Sequence, residues 1–402
     1  MHSNALNAKS ETNMAEHATL DKAAAIERLV KRSDMVACKV AFIDCKMKGS
    51  DRKENYSLIG AGVTQSEDQV VNLQEPHGFS LGVAAMPPGV VNNLHIHYTA
   101  EVFMIFKGRW LFRWGANGDE GTIVGEPGDV LSIPTWIFRG FSNEGEDDGW
   151  IFSALGGDNT GGIIWHPSIL EQAAEHGLYL TKENVLVDTA SGLPKPSDDE
   201  LLEPIDMQTA QSLRHYSPEE MRKRMVKVSD RAWSLRGLLD SVLPGHEVNV
   251  ASVIGFGISQ DRDQSPGVTN PHGFSVDWLR VAPGQQIGKH SLDTKQVLIV
   301  FEGTAEITLD VSGGETKIEI PQQALYSVPS DTWRSISSIG EQPLLIAVMT
   351  SGDQKKHITW SLEIVAAAAK AGYGVDHNGY IAPLHLLPYE KRKEVAALLE
   401  EI

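Results

Sequence analysis

Short apolar or alternating runs dominate the chain. Phe79–Met86 (FSLGVAAM), Val102–Gly108 (VFMIFKG), Trp110–Gly115 (WLFRWG), Asp129–Pro134 (DVLSIP) and Trp150–Leu155 (WIFSAL) are each bounded by Gly, Pro or Asn. Runs of this length and period read as strands. The glycines at Gly108 and Gly115–Gly118 predict hairpins, and SLIGAGV (57–63) predicts a further strand among otherwise irregular residues. Helical spacing is confined to a few stretches. Leu20, Ala23, Ile26, Leu29 and Val30 predict a helix from Thr19 to about Lys31. Ser168 and Glu171 have capping-box spacing, with Gly177 as the stop, and a similar stretch runs from Leu362 to Ala371 before Gly372. Ser217-Pro218-Glu219-Glu220 opens another helix, and a last one is expected from about Pro388 to Glu400. Residues 1–18 are polar and predict a disordered tail, and the Pro- and acid-rich residues 188–206 predict a linker.

The chain repeats itself. Pro76-His77-Gly78-Phe79-Ser80 recurs as Pro271-His272-Gly273-Phe274-Ser275, an offset of 195 residues. The same offset carries Gly60 to Gly255, Gln65 to Gln260, Pro88-Gly89 to Pro283-Gly284, His95 to His290, Gly108 to Gly303 and Pro134 to Pro329. It also carries Arg139 to Arg334, Asp158 to Asp353, Trp165 to Trp360 and Gly177 to Gly372. One unbroken register of this length predicts two copies of one fold. The expected organisation is a polar tail and N-terminal helix (1–35), a first barrel with its C-terminal helix (36–187), a linker and helix (188–230), and a second barrel with C-terminal helices (231–402).

Composition narrows the partners. The 402 residues suffice for two cores, and 41% hydrophobic with 22% charged residues is ordinary for a globular protein. A net charge of −18 argues against nucleic acid and anionic membranes as partners but leaves an anionic small substrate open, since an arginine or a metal can reverse the field locally. Two cysteines, Cys38 and Cys45, and no apolar run long enough for a bilayer predict a reduced, cytoplasmic protein.

The chemistry concentrates in Gly89–Gly108, GVVNNLHIHYTAEVFMIFKG. His95 and His97 lie two apart and share one face of a strand. Glu101 returns to that face if the chain stays extended or turns back beside it. Two imidazoles and a carboxylate suit one divalent ion, Fe(II), Mn(II), Co(II), Ni(II) or Zn(II), with positions left open for oxygen or substrate.

The spacing Gly89-x5-His95-x-His97-x3-Glu101-x6-Gly108 resembles the first signature of the cupin superfamily position for position. The second signature falls on Gly128, Pro134 and Asn143, with Trp136 where a Gly and Arg139 where the last metal-ligating His is expected. The resemblance implies an all-β protein of two tandem cupin (double-stranded β-helix, jelly-roll) barrels with flanking helices and a metal in the first barrel. It also implies a homodimer or higher homo-oligomer. In architecture it extends to the gentisate and hydroxynaphthoate dioxygenases, although Glu101 departs from their pattern.

The two copies differ where the metal would sit. Leu292 replaces the second His, Gln296 the Glu and Ser338 the Asn, so the second barrel is expected to be scaffold or a metal-free pocket. Arg139 stays protonated and cannot ligate. It either clamps an acidic substrate group or pairs with Glu101, and its recurrence as Arg334 favours structure. His77 is expected as a turn residue and His166 as a surface residue. Trp110, Trp114, Trp136 and Phe138 either wall a pocket or fill the core. The leading functional expectation is a non-haem Fe(II) dioxygenase acting on a small acidic or aromatic substrate, with Glu101 and Arg139 as catalytic residues. The alternatives are a metal-dependent lyase, isomerase or decarboxylase of a small oxo-acid, with the metal as Lewis acid, and a non-enzymatic cupin binding protein.

Overall fold

A computed structural model describes residues 20–401; the predicted polar tail at 1–18 lies outside the described residues. Each half forms two sheets facing one another. In the first barrel one sheet orders the strands Ile163–Trp165, Val91–His97, Arg139–Asn143, Trp110–Trp114 and Gly121–Gly125. The other orders Met225–Val226, Val130–Ile133, Glu101–Lys107, Gly149–Gly156, Phe79–Met86, Glu54–Ile59 and Val71–Leu73. The second barrel repeats this plan. Its sheets are Leu29–Val30, Leu325–Val328, Gln296–Glu302, Leu344–Ser351, Phe274–Val281, Val248–Ile254, and Gly314–Ile320, Thr304–Val311, Arg334–Ile339, Gln286–Ser291, Thr359–Trp360. The expected all-β pair of jelly rolls is what forms, with short helices at the flanks.

From Phe79–Met86 to Trp110–Trp114 successive strands alternate between the sheets, which corrects one local expectation. Glu101–Lys107 and Trp110–Trp114 do not form a hairpin at Gly108, because the first pairs with Val130–Ile133 and the second with Gly121–Gly125. Gly108, at φ 94°, carries the chain from one sheet to the other with its α-carbon against Gly149, where a Cβ would not fit. The hairpin expected at Gly115–Gly118 is present, with Trp114 opposite Gly121.

The helices follow their caps. Asp21 accepts from the Ala24 amide, but the first helix spans only Lys22–Glu27, because Leu29–Val30 is drawn into a strand opposite Tyr326 and Leu325. Ser217 and Glu220 form the expected capping box on Pro218–Arg222. The helix Pro167–Glu175 departs from expectation, since His166 is its cap, its Nδ1 accepting from the Ser168 amide. His166 is therefore a half-buried cap packed edge-on to Phe138, not a surface residue. Leu362–Lys370 and Tyr389–Glu401 close the second half.

The halves meet face to face and exchange their ends. Leu29–Val30, ahead of the first barrel, adds a strand to the second, and Met225–Val226, ahead of the second, adds one to the first. Tyr326 Oη donates to the Ala25 carbonyl, and Trp114 Nε1 to the Tyr216 carbonyl, so each arm is pinned to the opposite barrel. One apolar core runs across the junction, from Leu81, Val83 and Phe152 to Val276, Trp278 and Phe301. Phe79 and its repeat mate Phe274 pack ring to ring at 5.5 Å. Cys38 and Cys45 are buried and unpaired.

Candidate metal centre

His95 and His97 end the strand Val91–His97, and Glu101 begins the next, Glu101–Lys107. These strands belong to opposite sheets. The carboxylate therefore reaches the imidazoles across the barrel interior, neither by continued extension nor by turning back beside them. The connector Tyr98–Ala100 is just long enough to step between the sheets. One donor atom from each of the three side chains lies within 4.8 Å of the other two, and all three residues are buried.

Hydrogen bonds set the imidazoles for ligation. His95 Nδ1 lies 2.7 Å from the Asn93 carbonyl, which fixes the proton there and leaves Nε2 as the free lone pair. His97 Nε2 lies 3.6 Å from Glu101 Oε2, and the buried ring also meets the Gly162 backbone. Burial, and after it the Arg139 charge, hold both imidazoles well below the usual histidine range, so both are neutral, as a metal ligand must be. Burial pushes the Glu101 carboxyl up, opposed by Arg139 and Ser153.

Arg139 is wholly buried, opposite His95 and Trp114 in its sheet. Its Nε and Nη2 each lie 3.3 Å from Glu101 Oε2, and its Nη1 donates to the His95 and Ile137 carbonyls. Of the two expected placements, the structure shows the Glu101 partner. Arg139 is not among the residues that line the cavity beside the imidazoles. Arg334 does the same in the second barrel, donating to Gln296 Oε1. Ser153 Oγ donates to Glu101 Oε1 at 2.6 Å. The carboxylate accepts from both sides yet keeps lone pairs for an ion, so His95, His97 and Glu101 fit one divalent cation. The guanidinium would oppose that cation's charge.

A cavity of about 70 Å³ opens beside the triad, lined by His95, His97, Glu101, Ser153 and by Phe42, Lys53, Tyr56, Asn92, Phe103, Phe141 and Trp165 among others. Trp110, Trp114 and Phe138 are core residues that do not line it. Trp136 is exposed at φ 59°, keeping the left-handed turn that a Gly would take, and its mate Asp331 sits at φ 58°. Trp165 instead packs on His95 at 5.3 Å. In the second barrel the matching space shrinks to about 10 Å³ around His290, Leu292 and Gln296. Asp277, mate of the cavity-lining Gly82, is buried and accepts from Ser252 and the Ile258 amide. His77 does hold a turn, but its Nε2 also reaches Ser327 of the other barrel.

Ser153, Lys53 and Asn92 escaped the sequence reading. The signal was available in the repeat, since their mates are Val348, Val248 and Ile287, apolar where the first copy is polar.

The comparisons fit this architecture. The structure is similar to a Momordica charantia 7S globulin (TM-score 0.51, 10% identity, covering 83% of this chain and 86% of that one). It is also similar to Bacillus subtilis oxalate decarboxylase at pH 4.6 (TM-score 0.51, 12% identity, 87% and 81% covered). The fold is that of a bicupin. At such identities the likeness speaks for the fold alone. No protein-family model matches the chain, and no curated protein matches its sequence. Among the described residues no helix is long and apolar enough to cross a membrane.

Proposed function

We propose that the first barrel is a metal-dependent active site for a small carboxylic acid, and that its reaction is decarboxylation or a related carbon–carbon lyase step. The observation that carries this reading is the size of the cavity beside the buried His95–His97–Glu101 triad. About 70 Å³ holds roughly five waters, enough for an acid of a few heavy atoms but cramped for a ring-bearing naphthoate. A bound divalent ion would supply Lewis-acid polarisation of the substrate's oxygens.

The chain's own residues do the rest. His95, His97 and Glu101 would hold the ion. Arg139 and Ser153 fix the Glu101 carboxylate, so it cannot swing away when substrate enters. Phe42, Phe103, Phe141 and Trp165 give the space apolar walls, which lower the local dielectric and strengthen charge interactions inside it. In decarboxylation the bond between carboxyl and neighbouring carbon breaks, carbon dioxide leaves, and the remaining carbon takes a proton from solvent. Oxalate decarboxylase is among the solved proteins of similar fold, so the fold is compatible with this reaction class.

A second reading, oxygen-dependent cleavage of a small acid by Fe(II), rests on the same two-His-one-carboxylate donor set, which leaves positions open for oxygen. Metal content of the purified protein beside His95→Ala/His97→Ala comes first. About one divalent ion per chain, lost in the double variant, supports both readings. Carbon dioxide release from oxalate, oxaloacetate and malonate without oxygen consumption then favours decarboxylation, and coupled oxygen uptake favours the second reading. Wild-type protein that takes up no divalent ion after anaerobic loading sinks both.

A further inference from the structure

A second polar cluster borders the same cavity. The Lys53 side chain is 6% exposed, and its ammonium donates to Asp44 Oδ1 and, at 2.7 Å, to Asn92 Oδ1. An ammonium has three N–H groups, and these two acceptors use two. Among the described residues the third meets no protein acceptor. Around it stand the rings of Phe42 and Trp165, with centroids 5.0 and 5.7 Å from Nζ. Lys53, Asn92 and both rings line the cavity, and the Trp165 ring also packs on His95.

The second barrel serves as an internal control. At the repeat offset Lys53 and Asn92 become Val248 and Ile287, both buried in that barrel's core. The counterpart of Asp44 is Asp240, which accepts from the Gly288 amide as Asp44 does from the Asn93 amide, and its partner is His246 in place of a lysine. The fold can therefore hold this buried aspartate without a lysine and without Asn92. The first barrel nonetheless keeps the lysine, and keeps it in the half that retains His97, Glu101 and an open cavity. Burial pulls the Lys53 ammonium down from its ordinary range and Asp44 opposes this, a lysine burial the second barrel avoids.

We infer that Lys53 is the anion-binding residue of the first-barrel cavity, offering its free N–H to a carboxylate of the bound substrate while Asp44 and Asn92 hold its ammonium in place. Charge bookkeeping agrees. Arg139 balances Glu101, Lys53 balances Asp44, and both imidazoles are neutral, so a divalent ion there would be uncompensated and would call for an anionic ligand. The inference rests on the proposed carboxylate substrate and names the residue that would select it.

The test uses full-length protein loaded with Mn(II), with oxalate as the anionic probe and imidazole as a neutral one, both followed by calorimetry, and with metal content measured in every preparation. Lys53→Met removes the ammonium but strands Asp44, so Asp44→Asn/Lys53→Met is made beside it to keep the charge balanced. The expected result is oxalate binding weakened about tenfold or more in the balanced variant, with metal content and imidazole affinity unchanged. Unchanged oxalate affinity, or equal weakening of both probes, overturns the assignment. Wild-type protein without metal would instead sink the proposed function. In that protein, oxalate binding weakened by the balanced variant still supports Lys53, and oxalate binding that is absent or unaltered overturns it.

Discussion

His77 Nε2 of the first barrel lies 2.7 Å from Ser327 Oγ of the second, and the repeat mates return the contact, His272 Nε2 lying 2.7 Å from Ser132 Oγ of the first. Each is a buried bond between halves, so each side chain works as a clasp. Ser327→Ala and Ser132→Ala are each expected to cost about 1–3 kcal/mol, the penalty of a buried imidazole nitrogen left unmatched. Urea unfolding measures this. Midpoints that stay at the wild-type value in both variants would show that the apolar core alone holds the junction.

The clasps carry a pH dependence. Burial, with the nearby Arg224 charge, pulls His272 down to about 4 from an ordinary 6.5, and burial lowers His77 as well. A histidine that resists protonation when folded binds more protons when unfolded. Stability is then full above about pH 6.5 and falls as pH drops toward 4. For His272 alone the loss is about 3 kcal/mol across that window. Unfolding midpoints measured from pH 7.5 to 4.5 should fall, and fall less in His272→Gln.

Arg139→Met separates the guanidinium's two effects. Without its partner, buried Glu101 is left unpaired, and the metal-free variant is expected to lose about 3 kcal/mol. The same change removes a positive charge from beside the ion, so Mn(II) should bind more tightly than in the wild type. Thermal unfolding with and without Mn(II) reads both effects, the variant melting lower than wild type without the ion and gaining more from it. Weaker Mn(II) binding in the variant would mean that Arg139 orients Glu101 for the ion more than its charge repels it.

Restoring ligands to the second barrel should fail. Leu292→His with Gln296→Glu recreates the two-His-one-Glu set on paper, but the space there is about 10 Å³, enclosed by Leu279, Leu298, Ile336 and Val348. The new carboxylate would be buried with Val348 where the first barrel has Ser153. The expected outcome is unchanged metal stoichiometry and a melting temperature lowered by several degrees, as for about 1–3 kcal/mol of burial cost. A second equivalent of Mn(II) bound would contradict it.

Much of this was legible from residues alone because it is local or repeated. Strand runs between turn residues, the capping box at Ser217 and the shared register of the halves needed no coordinates. The ligand set His95, His97 and Glu101 could be named together, but not the way it converges. Parity along one strand describes neighbours on one sheet, and Glu101 stands on the other. Gly108 misled for the same reason, since a glycine between two apolar runs marks a change of direction without saying whether the next strand pairs with the last. Lys53 stayed hidden because a lone lysine in a loop-rich stretch looks like a solvated residue. Only its apolar mate Val248 distinguishes it. The helix expected through Leu29 and Val30 was cut short by partners almost three hundred positions away, Leu325 and Tyr326, which no local window contains.

The exchanged arms tie the order of synthesis to the order of folding. As the chain emerges, the sheet of the first barrel lacks its outer strand until Met225–Val226 has been made, while Leu29–Val30 has no sheet to join until Leu325–Val328 exists. The earliest and latest parts of the polypeptide must therefore wait for each other. Cutting the connection anywhere in 189–206 would sever the backbone without separating the product, because each fragment would still hold a strand of the other. A pair of separate barrels embracing by their leading segments would look the same, which makes this chain the covalent form of a symmetric dimer.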